Sequence, residues 1–164
     1  FAAVESLDPP SGTPIILLTP HGRTFDHFTA ERLSRLAAFV LIAGHYEGVD
    51  QRVAEHLATE EISIGDFVLS AGEIAAMAVT DAVVRLLPGA ISEGGAEVES
   101  FISGLLEYPQ YTRPARFREW EVPEVLLSGN HAQVELWRHE QAVALTSLRR
   151  PDLLQRDERP AEKL

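Results

Sequence analysis

The chain has 164 residues, 45% of them hydrophobic and 24% charged, a balance that suits one globular domain or one domain with part of another. Its formal net charge of −11 argues against non-specific nucleic-acid binding, which rests on phosphate neutralisation by Lys and Arg. No run of about 18 apolar residues is present to span a membrane. The absence of cysteine excludes disulfides and thiolate-bound zinc and fits a cytoplasmic location.

Residues 1–7 read as the end of a helix, stopped by Asp8-Pro9-Pro10-Ser11-Gly12. Ile15-Ile16-Leu17-Leu18-Thr19 is an apolar run of strand length closed by Pro20-His21-Gly22. Such a run fits a strand covered on both faces, as in a parallel sheet. Thr29 is the expected N-cap of a helix over 30–37. Phe39-Val40-Leu41-Ile42-Ala43 is the next strand, opening into Gly44-His45-Tyr46-Glu47-Gly48. A helix over 49–57 follows, with Asp50 in its first turn and Val53 and Leu57 on its apolar stripe. Residues 60–64 read as a third strand. Residues 73–87 form a helix apolar almost all round, so burial on more than one side, against a sheet or a partner, is expected. Pro88-Gly89 ends it.

The segment Ser63-Ile64-Gly65-Asp66-Phe67-Val68-Leu69-Ser70-Ala71-Gly72-Glu73 organises this half. Gly65 and Gly72 remove side-chain bulk, so main chain can approach other main chain or a ligand closely. The peptide groups between them need partners, and a flat heterocycle with ring nitrogens and an exocyclic amine would serve. From this stretch alone, a glycine-bounded edge strand ahead of a helix is the favoured reading, since a glycine-rich loop is a weak signal. Alternating strands and helices indicate an α/β domain with a parallel sheet. Ligands of such sheets sit at the carboxyl ends of the strands. Three glycine-containing loops, 19–22, 44–48 and 64–72, occupy that edge and are expected to converge.

The second half changes character. Residues 92–100 are polar, acidic and glycine-containing, as in a mobile linker. Tyr108-Pro109-Gln110-Tyr111-Thr112-Arg113-Pro114 reads as extended. Asn130 caps a helix over 131–149 with Val134, Trp137, Gln141, Leu145 and Leu148 near one face, ended by Arg150-Pro151. Arg113, Arg116, Arg118, Arg138, Arg149 and Arg150 concentrate here, and arginine forks match phosphate and guanine edges. For any one of them, pairing with the many carboxylates on a solvated face is the favoured account. The six histidines form no close ligand pair, so no metal site is expected.

Three phrases combine in order: Gly44-His45-Tyr46-Glu47-Gly48-Val49-Asp50-Gln51-Arg52-Val53, the 63–73 segment, and the 108–114 segment. Joined with Val125-Leu126-Leu127-Ser128-Gly129-Asn130-His131 and Arg149-Arg150-Pro151-Asp152-Leu153-Leu154, they resemble bacterial tRNA (guanine-N1)-methyltransferases of the SPOUT superfamily. The likeness runs from about residue 17 to residue 154. It implies an α/β fold with a SPOUT-type parallel sheet and a deep trefoil knot over 1–91, a linker over 92–104, and the start of a small helical tRNA-binding domain over 105–164. The family's first strand before Phe1 and most of its C-terminal domain after Leu164 are not found, so the chain reads as a fragment.

The resemblance further implies a homodimer, tRNA as partner and S-adenosyl-L-methionine as methyl donor, and it alone suggests Mg2+. By motif, Leu18, Thr19 and Pro20 flank the adenosine. Gly44, Tyr46, Glu47 and Gly48 come from the second loop. Ile64, Gly65, Asp66, Phe67, Val68 and Leu69, with Gly72, supply contacts to adenine. The acceptor would be N1 of the guanosine immediately 3′ of the anticodon. Glu99 falls where the family has its aspartate base, and Arg85 matches the family's arginine beside the guanine. Glu99 for aspartate, His45 for a common arginine and Ala71 for a common glycine are the departures. Two alternatives stay open: another SPOUT RNA methyltransferase with a different target, and a non-catalytic dimer that binds an adenosine ligand or tRNA.

Overall fold

A computed structural model describes residues 1–45, 47–90 and 100–155. The chain divides into two compact units, residues 1–93 and 94–164. The first opens with α1 (Ala2–Glu5) and β1 (Ile15–Thr24), followed by α2 (His27–Ser34) and β2 (Val40–Ala43). It continues through α3 (Gln51–His56), β3 (Glu60–Ser63) and α4 (Gly72–Val84). The strands form one parallel sheet in the order β2-β1-β3, as the alternation of elements predicted. Ile16, Leu18 and Ile62 meet Ala30 and Leu33 of α2 and Ala75, Val79 and Val83 of α4 in one buried cluster.

The first strand does not stop at Pro20. β1 pairs with β3 from Ile16 to Leu18, breaks, and pairs again at Arg23 and Thr24. Leu18 and Arg23 both lie opposite Ile62. Pro20 has no N–H to give a ladder, so the four residues 19–22 bow out and the pairing resumes beyond them. Gly22 makes the return possible: a Cβ there would lie 2.4 Å from the Ile62 nitrogen, a distance no side chain tolerates.

Three further boundaries differ from those read in the sequence. Asp26, not Thr29, caps α2, accepting from the Thr29 main-chain N–H and from its hydroxyl, both at 2.9 Å. Asp50 is the N-cap of α3 rather than a first-turn residue, accepting from the Arg52 N–H at 2.9 Å. Helix α4 ends at Val84, with Arg85 as its C-cap. The Leu86 and Leu87 N–H groups then make tight bonds to Val83 and Val84 at 3.1 and 3.0 Å, because a residue ahead of a proline avoids the helical region. Within one copy of the chain, α4 buries only Ala75, Val79 and Val83. Met77 stays 71% exposed and Ile74 53% exposed.

The second unit holds β4 (Arg116–Phe117) and β5 (Trp120–Glu121), an antiparallel hairpin the sequence reading did not contain. Then come α5 (Glu124–Leu127), α6 (His131–Arg149) and α7 (Pro151–Leu154). Asn130 caps α6 as expected, its side chain accepting from the Gln133 N–H at 3.3 Å. The buried positions of α6 are Ala142 and Thr146, while Leu148 is exposed, so the inward face lies slightly off the expected stripe. Proline at the first position of α7 starts a new helix rather than only ending the old one. Of the linker expected over 92–104, residues 92–99 lie outside the described residues.

Candidate functional site

At the carboxyl edge of the sheet the three glycine-bearing segments do meet. They line a cleft of about 450 Å³, within the size range of small-ligand sites. Leu18, Thr19 and Pro20 form one wall, Gly44, Glu47 and Gly48 a second, and Ile64, Gly65, Phe67, Val68, Leu69 and Gly72 a third. Asp66 belongs to the same loop but is exposed and not part of the lining. Tyr46 and Glu99 lie outside the described residues. Arg85 is exposed at the end of α4 and does not line the cleft.

Main-chain contacts hold the second and third walls together. The Gly72 N–H donates to the Gly44 carbonyl at 2.8 Å, and His45 bridges Ala71 in antiparallel fashion. A Cβ on Gly72 would stand 2.7 Å from the Gly44 nitrogen and 2.9 Å from its oxygen. Only glycine lets the two segments lie this close, which is the reason for the break before α4.

The third wall is shaped by a compact turn. The Ser63 hydroxyl accepts from the Gly65 N–H at 3.2 Å and donates to the Gly65 carbonyl at 3.1 Å, while the Phe67 N–H reaches the same carbonyl at 2.9 Å. Gly65 has φ of 146°, a region that disfavours side chains. The Phe67 ring sits where its Cβ would project, 2.6 Å away. Past this turn, the N–H groups of Val68 and Leu69 meet no main-chain acceptor among the described residues. Unpaired peptide donors beside a cleft are what a ligand rich in acceptors would satisfy.

Two carboxylates reach the lining, Glu47 and Glu61. Glu61 was not foreseen. Its signal was a charge inside a strand: neighbours on a strand point to opposite faces, so with Ile62 in the core cluster Glu61 turns the other way. Beside the cleft, Asp50 holds the Arg52 guanidinium through contacts of 2.9 and 2.6 Å. That pairing, first through the side-chain hydrogen bond and then through the Arg52 N–H, keeps the Asp50 carboxyl well below the usual carboxylate range. The same pairing raises Arg52 above its ordinary value. Among the described residues no three of His, Asp and Glu gather closely enough to hold a metal ion, and no helix is long and apolar enough to cross a membrane.

Residues 1–156 match the family model described as tRNA (Guanine-1)-methyltransferase TrmD. Named relatives agree. A tRNA (guanine-N(1)-)-methyltransferase of Gloeobacter violaceus is 58% identical over 156 residues, 94% of this chain and 69% of the relative. One of Moorella thermoacetica is 56% identical over 160 residues, 95% of this chain and 64% of the relative. One of Dehalococcoides mccartyi is 54% identical over 159 residues, again 95% of this chain and 64% of the relative. The chain thus spans about two thirds of the length of the proteins it matches.

Proposed function

Since the chain belongs to the tRNA (guanine-1)-methyltransferase family, we propose that it methylates N1 of guanine in tRNA, at the guanosine 3′ of the anticodon, with S-adenosylmethionine as donor. The observation that carries this reading is the cleft itself, three glycine-hinged segments joined through main chain with the Val68 and Leu69 donors beside it. The residues present suit that donor. Adenine offers ring-nitrogen acceptors to peptide N–H groups, and the cationic sulfonium and ammonium groups suit a cleft lined by Glu47 and Glu61. When bound, S-adenosylmethionine supplies an electrophilic methyl group that needs no metal activation.

The remaining chemistry belongs to the protein. Guanine N1 carries a proton and attacks poorly until it leaves. Glu99 is the assigned base, a carboxylate at the family's aspartate position that takes this proton. Its loss moves negative charge onto O6, and Arg85 offsets that charge. Leu18, Thr19, Pro20, Gly44, Tyr46, Glu47, Gly48 and the 64–72 loop hold the donor, while Asp66 sits in that loop without a place in the lining.

Three structural expectations accompany the assignment. A trefoil knot in the first unit is the expectation that comes with the family. A homodimer is supported by the uncovered apolar residues Ile74, Met77 and Val84 of α4. A division into a knotted domain, a linker and a helical tRNA-binding domain is supported by the separate compactness of the two units. A cytoplasmic location follows from tRNA as substrate.

Methyl transfer to tRNA transcripts carrying G or A immediately 3′ of the anticodon tests the assignment. Label on N1 of the G transcript and none on the A transcript is expected. Transfer to another base would point to a different target, and donor binding without any transfer to a binding protein.

A further inference from the structure

The β4–β5 hairpin of the second unit plays no part in the cleft and presents an unusual surface. Phe117 is 57% exposed and Trp120 66% exposed. The two residues are cross-strand partners, with ring centroids 6.1 Å apart and planes 35° apart. The Arg118 guanidinium lies over both rings, 5.2 Å from Phe117 and 5.8 Å from Trp120. Arg118 occupies the turn with φ of 58°, a region costly for a residue with a Cβ. Arg116 fixes the turn: its Nε donates to the Arg118 carbonyl at 3.0 Å, and its other nitrogens approach Glu119 at 3.2 Å and Glu121 at 3.7 Å. Both carboxylates of the hairpin are therefore engaged by Arg116, while Arg118 has no carboxylate partner among the described residues.

Apolar rings left in water beside a cation that no carboxylate of the described residues pairs form a surface for a flat, electron-rich, anionic partner. We propose that the hairpin of residues 116–121 is a stacking platform for an unpaired base of the substrate RNA. The Phe117 and Trp120 rings take the face of the base, and Arg118 adds a cation over the stack and a donor to the neighbouring phosphate. This inference rests on the tRNA reading above and adds to it a contact site and the kind of nucleotide recognised: single-stranded, and read by stacking rather than by sequence. A second copy of this chain fits the surface less well, since a two-fold contact through it would place Arg118 against Arg118.

The test uses the full-length protein and a tRNA transcript. In a background where Trp137 and any other tryptophan of the full-length protein are replaced by phenylalanine, Trp120 is the sole reporter. Its fluorescence should be quenched by the tRNA, and much less by a fully paired RNA duplex of equal length. The Phe117→Leu/Trp120→Leu variant should bind tRNA about 5- to 150-fold more weakly, with unchanged donor affinity and melting temperature, and Trp120→Phe should restore binding. Equal tRNA affinity in native protein and double variant, with native methyl transfer intact, overturns the platform alone. So does loss of dimer in the double variant, which would make the hairpin a subunit contact. No tRNA binding by the native protein overturns both the platform and the functional assignment.

Discussion

The cleft and the C-terminal unit are built on opposite plans. Around the cleft, a continuous apolar core of sheet and helix residues stands behind segments pinned by main-chain contact, and glycines stand where no side chain fits. In residues 100–155 only Ala142, Thr146 and Leu153 are buried. One polar hub ties that unit together: the Thr146 hydroxyl donates to the Ala142 carbonyl at 2.6 Å and accepts from the Leu106 N–H at 2.8 Å. Large side chains such as Phe117, Trp120 and Leu148 remain at its surface. The first plan suits a small ligand held through backbone geometry. The second keeps little core and suits the display of side chains to a large partner.

Substitutions separate the two plans by size of effect. Glu99→Ala should lower kcat by about 10²- to 10⁴-fold while leaving donor affinity within about twofold. Single-turnover transfer and calorimetry measure the two quantities, and full turnover in this variant would remove Glu99 as the base. Gly72→Ala should act on binding instead. Its new methyl group meets the Gly44 backbone, and overpacking of about 1–3 kcal/mol should weaken donor binding about 5- to 150-fold. Gly44→Ala meets only a Val49 methyl group, at 2.8 Å, which can turn aside, so its loss in the same titration should be smaller. If the two variants behave alike, main-chain contact does not shape the cleft.

In the C-terminal unit, Thr146→Val keeps the shape but leaves the Leu106 N–H unpaired. A loss of about 1–3 kcal/mol should appear in denaturant unfolding with donor affinity unchanged. The smallest effect is expected at the edge of the cleft. Asp50→Ala removes the cap of α3 and the Arg52 pair, and melting at pH 7 should fall slightly. Because the folded state depresses the Asp50 carboxyl, its stabilisation is complete above the ordinary carboxylate range near pH 4 and is lost as pH falls through the lower folded value. The difference between native and variant melting curves should therefore narrow below about pH 4.

Much of the first unit was legible because period and punctuation agreed there. The apolar runs at 15–19 and 39–43 marked strands, and glycines marked the bends that line the cleft. The continuation of β1 to Thr24 was not legible, since a proline inside a strand reads as its end and the return depends on Gly22 meeting a residue 40 positions away. Glu61 was hidden for a related reason: a strand charge declares a face but not what lies beside it. The hairpin at 116–121 escaped because two-residue strands carry no measurable alternation and its turn uses Arg118 and Glu119 rather than Asn-Gly. Position on a motif also said nothing of lining, as Asp66 illustrates beside Phe67.

The peptide donors at Val68 and Leu69 bear on inhibitor resistance. A side-chain contact is erased by almost any codon change, but a peptide N–H survives every replacement except proline. An adenosine mimic anchored on those two groups would leave the protein few escape routes, and each would have to break the bend that its own donor needs.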